Sequence, residues 1–220
     1  MLIGSWLGIV GEWDVAGFHL INGTLRHPLL DSVMPFITNK WNFALPLGLI
    51  FLYVMAFRPK RDRLVAICAI VVLLLADQAT QLLKQVFQRV RPCHVLLHVY
   101  LSKGSICTGS FSLPSNHATN MFAMASFFSY NSRWLAVPCF VAAGLVGYSR
   151  IYVGAHYPTD VLAGIALGML VGFPAAIATE RLTRARELRG PSAGAGGPDE
   201  AASRPGATQS VDAAGECELR

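Results

Sequence analysis

In the stretch SRIYVGAHYPTD, residues 149–160, Arg150, His156 and Asp160 stand beside long hydrophobic runs. A charge at membrane depth costs about 2.5–3.5 kcal/mol even on insertion scales, and it survives where it faces a polar cavity or a partner. A carboxylate four residues after a histidine can accept its Nδ1–H, fix the tautomer and leave Nε2 free for chemistry. Pro158 also suits a first helical turn, where Asp160 would simply complement the helix dipole. A second cluster, KQVFQRVRP, sets Lys84 and Arg91 seven residues apart, only about 20° apart around a continuous helix. Asp77, Gln81 and Gln88 extend this stripe, which could equally be a polar seam between helices, and Pro92 marks a helix boundary. In the third cluster, PSNH, Pro114 and Ser115 form a turn and N-cap that leave the backbone N–H groups near Asn116 and His117 open to an anion. Ordinary capping beside an interfacial histidine explains that tetrapeptide as well.

The elements that must position these residues are membrane spans. Of 220 residues, 53% are hydrophobic and 14% charged, against about 25% charged in a soluble domain. Segments 41–57, 64–86, 117–134, 135–151 and 158–179 approach the roughly 17–25 apolar residues of a spanning helix. The third is the shortest in apolar content, and residues 1–25 offer a sixth. The expected fold is therefore all-α, a polytopic membrane helix bundle of five to six transmembrane helices. Residues 1–40 form short N-terminal interfacial helices with breaks at Asn22-Gly23 and Pro28. Residues 41–180 form the transmembrane core, and 181–220 a basic juxtamembrane segment followed by a tail too polar and small to bury a core.

Arg58, Lys60, Arg61 and Arg63 occupy one short loop, Arg133 another, and Arg181, Arg184, Arg186 and Arg189 follow the last span. The positive-inside rule makes that face cytoplasmic. With the spans so drawn, the second ends, the third begins, the fourth ends and the fifth begins on the opposite face. All three clusters converge there, a coincidence that three independent bland explanations would not require.

The assembled site would hold Lys84, Arg91 and Arg150, a helix start with Ser115, two histidines and one carboxylate. Such a set suits a phosphate or similar tetrahedral oxyanion. It suits a divalent metal poorly, because hard cations seek several carboxylate oxygens. The net charge of +5 follows membrane topology and forms no stripe for nucleic acid. Among five cysteines, Cys68 and Cys139 sit in apolar runs, whereas Cys93 and Cys107 share one polar loop where a disulfide is open to them in an oxidising compartment. An anion or lipid-phosphate transporter or binding protein could use the same cationic pocket, although binding alone needs neither a nucleophile nor an acid.

The three clusters resemble the tripartite signature of the type 2 phosphatidic acid phosphatase superfamily, which also includes glucose-6-phosphatase and the soluble vanadium haloperoxidases. The pattern K-x6-R-P, P-S-G-H, S-R-x5-H-x3-D reads here as Lys84 to Arg91-Pro92, Pro114 to His117, and Ser149-Arg150 to His156 and Asp160. Asn116 departs from it, standing where the family has glycine. The resemblance implies a membrane lipid phosphatase that needs no metal or other cofactor. In it His156 attacks phosphorus to give a phosphohistidine, Asp160 orients that ring, and His117 protonates the leaving oxygen and then activates water. Lys84, Arg91, Ser115, Asn116 and Arg150 would surround the phosphate. Its implied partners are the bilayer and a lipid phosphate such as undecaprenyl diphosphate, phosphatidylglycerol phosphate or phosphatidic acid. The expected setting is a bacterial inner membrane, with the site on the extracytoplasmic face and the tail cytoplasmic. His94, His98 and Lys103, in the adjoining loop, are read as ordinary interfacial residues.

Overall fold

The computed structural model describes residues 2–101, 107 and 109–188. Lys103, Arg189 and the tail expected over 190–220 lie outside the described residues. The chain runs α1 (Leu2–His19), a π-helical turn (Leu20–Thr24), α2 (Pro28–Thr38), α3 (Trp41–Phe57), α4 (Lys60–Phe87), the short α5 (Pro92–Val95), α6 (Asn116–Asn131), a 3-10 turn (Arg133–Leu135), α7 (Ala136–Tyr152) and α8 (Pro158–Leu188). It is an all-helical membrane bundle.

Small residues inside and large apolar residues outside explain how these helices pack. On α4 the buried positions are Ala69, Val72, Ala76, Thr80 and Lys84, one stripe at helical spacing. Ile67, Ile70, Leu74, Leu75 and Leu82 point outward, which is stable where the surroundings are hydrocarbon. Against that stripe lie Ala123 and Phe127 of α6 and Ala176 of α8. The other side of α6 packs Phe122 and Ala125 against Ala143 of α7. Helix α6 is thus enclosed by three neighbours.

Helix α8 approaches α6 backbone to backbone through Gly164, Gly168 and Gly172, one face at four-residue spacing. A Cβ at Gly164 would fall 2.7 Å from the Ser115 carbonyl oxygen, and one at Gly168 would fall 2.5 Å from that of Thr119. Only a missing side chain permits this approach, the small-residue packing that membrane helices use in place of a hydrophobic drive.

Among the described residues, three stretches are long and apolar enough to cross a membrane, namely Lys60–Val95, Arg133–Tyr152 and Pro158–Leu188. Helices α2 and α3, bent by 46° at their junction, make a fourth if they form one broken span. The expected span over 117–134 is the 16-residue α6. Its shortness and polar head are tolerable because neighbouring helices, not lipid, surround it. Helix α3 matches its expected bounds and has no buried residue. The last span extends past 179 as unbroken helix to Leu188, where Arg184 pairs with Glu180 one turn earlier.

Candidate active site

At one end of the bundle the three clusters meet. The expectation of one helix carrying both Lys84 and Arg91 needs correction. Helix α4 stops at Phe87, with Gln88 left-handed at φ 46° and its N–H closing on the Lys84 carbonyl. Arg91 instead has extended backbone and caps α5. The two cations reach the site from different elements. Lys84 Nζ donates to the Phe111 carbonyl at 2.8 Å. Arg91 Nε donates to the Ser110 carbonyl at 2.8 Å, and Nη1 to the Ala155 carbonyl at 3.1 Å. The 110–112 segment thereby becomes one wall of the site.

The His156 turn is held from both sides. Its own N–H and that of Ala155 both donate to the Arg150 carbonyl, at 3.2 and 3.1 Å. Gly154 takes a φ of +82°, and a Cβ there would sit 2.8 Å from the Tyr100 carbonyl oxygen. A side chain would be doubly excluded, by conformation and by space.

The ring of His156 is 1% exposed. Arg91 Nη1 lies 3.3 Å from its Nε2. A guanidinium has donors and no acceptor, so Nε2 must present its lone pair and the proton resides on Nδ1. Burial first, then the positive charges of Arg150 and Arg91, hold His156 far below the ordinary histidine range, at about 3, against the opposing pull of the Asp160 carboxylate. The ring is a neutral base at neutral pH.

The expected contact between Asp160 and His156 has an intermediary. Asp160 Oδ2 lies 3.6 Å from Nδ1, beyond a direct hydrogen bond. Ser112 Oγ sits between them, 3.4 Å from Nδ1 and donating to Oδ2 at 2.5 Å. Asp160 also accepts the Tyr157 N–H at 2.9 Å and Arg89 Nη1 at 2.8 Å. Ser112 and Arg89 escaped the reading of the sequence. Arg89 could have been found as a further cation two residues before Arg91, whereas nothing local marks Ser112.

The opposite side of the site is less satisfied. Ser115 occupies the N-cap of α6 by backbone, its carbonyl accepting the Thr119 N–H at 2.9 Å, but its hydroxyl makes no capping bond. Ser115 Oγ, Asn116 Oδ1 and Arg150 Nε are buried without a hydrogen-bond partner among the described residues. Asn116 opens α6 outside the left-handed region and turns its amide to α4, where Nδ2 donates to Asp77 Oδ1 at 2.6 Å. Arg150 Nη1 donates to Thr38 Oγ1 at 2.6 Å, and the Thr38 backbone lies beside the His117 ring. Residues of α2 therefore close this side, a contribution the sequence did not reveal.

Cys93 and Cys107 are joined in a disulfide, which fastens α5 to Cys107. With His94 they form the one described group of metal-ligand composition, and the disulfide occupies both sulfurs.

The profile of the PAP2 superfamily matches residues 64–184, from α4 to α8. The chain belongs to the PAP2 superfamily. Lipid A 4'-phosphatase of Porphyromonas gingivalis is 32% identical over 70% of this chain and 68% of its own length. Undecaprenyl-diphosphatase BcrC of Bacillus subtilis is 30% identical over 71% and 79% respectively. The crystal structure of a transmembrane PAP2 type phosphatidylglycerolphosphate phosphatase from Bacillus subtilis superimposes with a TM-score of 0.64 at 27% identity, covering 79% of this chain and 88% of that one. These PAP2 relatives make the chain an integral membrane lipid phosphatase.

Proposed function

We propose that this phosphatase hydrolyses a phosphomonoester or diphosphate of a membrane lipid through a phosphohistidine at His156. The observation that carries the reading is the Arg91 contact, which fixes the free electron pair on Nε2 inside a cationic cup. In the first step that pair attacks phosphorus while the bond to the lipid oxygen breaks, and His117 gives that oxygen a proton. His117 then takes a proton from water as the water oxygen attacks phosphorus, breaking the P–N bond and releasing inorganic phosphate. Asp160, bridged by Ser112, balances the positive charge of the phosphorylated imidazole.

Lys84, Arg91 and Arg150 stabilise the charge on the phosphoryl oxygens. The hydroxyl of Ser115 and the Arg150 Nε–H, which have no other partner among the described residues, supply donors for them. Asn116 borders the phosphate and sets how much room the head group has. Three fixed cations and a single carboxylate at the reaction centre support a metal-independent reaction. Undecaprenyl diphosphate, phosphatidylglycerol phosphate and phosphatidic acid are the substrates proposed.

The site faces the extracytoplasmic side of a bacterial inner membrane. Support comes from the cytoplasmic placement of the Arg58–Arg63 loop, Arg133 and the α8 terminus by the positive-inside rule, and from a disulfide beside the site, since such bonds persist in oxidising compartments. In this reading residues 1–40 are the interfacial helices, 41–180 the transmembrane core, and 181–220 a cytoplasmic basic segment and tail. Purified protein given a panel of lipid phosphates should release inorganic phosphate from at least one. Binding without release from every lipid would favour an anion-binding or transport role instead.

A further inference from the structure

The N-terminal helix presents a buried stripe to the catalytic end. Asp14, Phe18 and Asn22, four residues apart, are exposed by only 2%, 0% and 1%. Phe18 packs on Tyr157, with ring centroids 5.8 Å apart. Gly17 permits close approach, since a Cβ there would lie 3.2 Å from Pro158. Asn22 Nδ2 donates to the carbonyls of Tyr100 and Tyr152, at 2.9 and 2.8 Å.

Asp14 is the charged member of this stripe. Its Oδ1 accepts the Thr159 N–H at 2.8 Å, and its Oδ2 accepts Thr159 Oγ1 at 2.6 Å and Arg89 Nη2 at 2.5 Å. Arg89 Nη1 donates to Thr159 Oγ1 at 2.7 Å and to Asp160 Oδ1 at 2.8 Å, while the guanidinium lies 4.1 Å above the Tyr157 ring. One arginine is thus shared between a carboxylate of α1 and the carboxylate that serves His156.

We propose that Asp14 is a positioning residue for the reaction at His156, acting through Arg89 on Asp160. The inference rests on the phosphohistidine reading above. An arginine paired with Asp160 alone would draw its charge and orientation away from the imidazole. Divided between two carboxylates, Arg89 fixes Asp160 Oδ1 while leaving Oδ2 to face Ser112 and His156. Asp14 also caps a free N–H at the start of α8 from another helix, so the first turn of α8, which carries Asp160, is seated by the same group.

Asp14→Asn keeps an acceptor for the Thr159 N–H and removes the charge from Arg89. In the full-length protein it should lower kcat about 10- to 100-fold, as small misplacements of reacting groups do, with KM and the inhibition constant for orthovanadate within about threefold of wild type. Arg89→Met should also lower kcat, and adding Asp14→Asn to it should cost no more than about twofold, because coupled residues are not additive. Wild-type kcat in Asp14→Asn, additive losses in the double variant, or loss of vanadate inhibition together with activity would each overturn the proposal, the last by showing general collapse of the cup. His156→Ala separates the two levels. If it still releases phosphate, the phosphohistidine reading fails; if it is dead while Asp14→Asn is fully active, only the role of Asp14 fails.

Discussion

The two sides of the cup differ in how completely they are bonded. Around His156 the ring nitrogens, both oxygens of Asp160 and the Arg89 guanidinium have partners at hydrogen-bond or near hydrogen-bond distance. Across from it, Ser115 Oγ, Asn116 Oδ1 and Arg150 Nε remain buried and unpartnered among the described residues. A buried polar atom without a partner costs about 1–3 kcal/mol. At the two donors, the Ser115 hydroxyl and Arg150 Nε–H, such a cost points to acceptor oxygens that arrive with the substrate. On the proposed mechanism the nucleophile is set in advance, and the phosphate completes the other side.

Substitutions can break this contrast, the largest effect coming from the nucleophile. His156→Ala should reduce phosphate release by about 10⁴-fold or more in a lipid phosphatase assay, since no other group supplies the attacking electron pair. His117→Ala should cost about 10²–10⁴-fold, the usual worth of a general acid and base. On an activated phosphate ester, whose leaving oxygen needs no proton, it should still be phosphorylated and then accumulate phosphohistidine, read by acid-labile radiolabel on the protein. On the unsatisfied side, Arg150→Met should lower kcat by about 10²–10³-fold and weaken vanadate inhibition as well, because both depend on the phosphoryl oxygens. Ser112→Ala, on the pre-bonded side, should lower kcat by about tenfold while leaving vanadate affinity near wild type, as expected for a residue that serves His156 without touching phosphate. Equal effects of Arg150→Met and Ser112→Ala on vanadate would erase the distinction. The smallest effect is expected from chelator: incubation followed by a lipid phosphatase assay should leave activity unchanged, and inhibition reversed by added metal would overturn the metal-independent chemistry.

A similar contrast runs through the bundle. Helix α3 has no buried residue, whereas α8 buries Gly164, Gly168 and Gly172 against α6. The spacing Gly-x3-Gly-x3-Gly that marks this contact is present in the sequence, inside the apolar run that hosts it. Where apolar content alone decided, as for α3 over 41–57, the expected bounds agree with the structure. Where neighbours replaced lipid, as for α6, apolar content was a poor guide.

The sequence by itself determined the all-helical membrane character, the three ordered clusters and the residue types needed for phosphate chemistry, because hydropathy and motif spacing are local properties. It also showed Cys93 and Cys107 in one loop without deciding that they pair. Only the tertiary structure decided that Gln88 ends α4 before Arg91, that Ser112 stands between His156 and Asp160, and that Asp14 reaches Arg89 across 75 positions of chain. Those facts depend on which side chains meet after the helices pack. A hydrogen bond across such a separation leaves no periodic trace in the residues that make it.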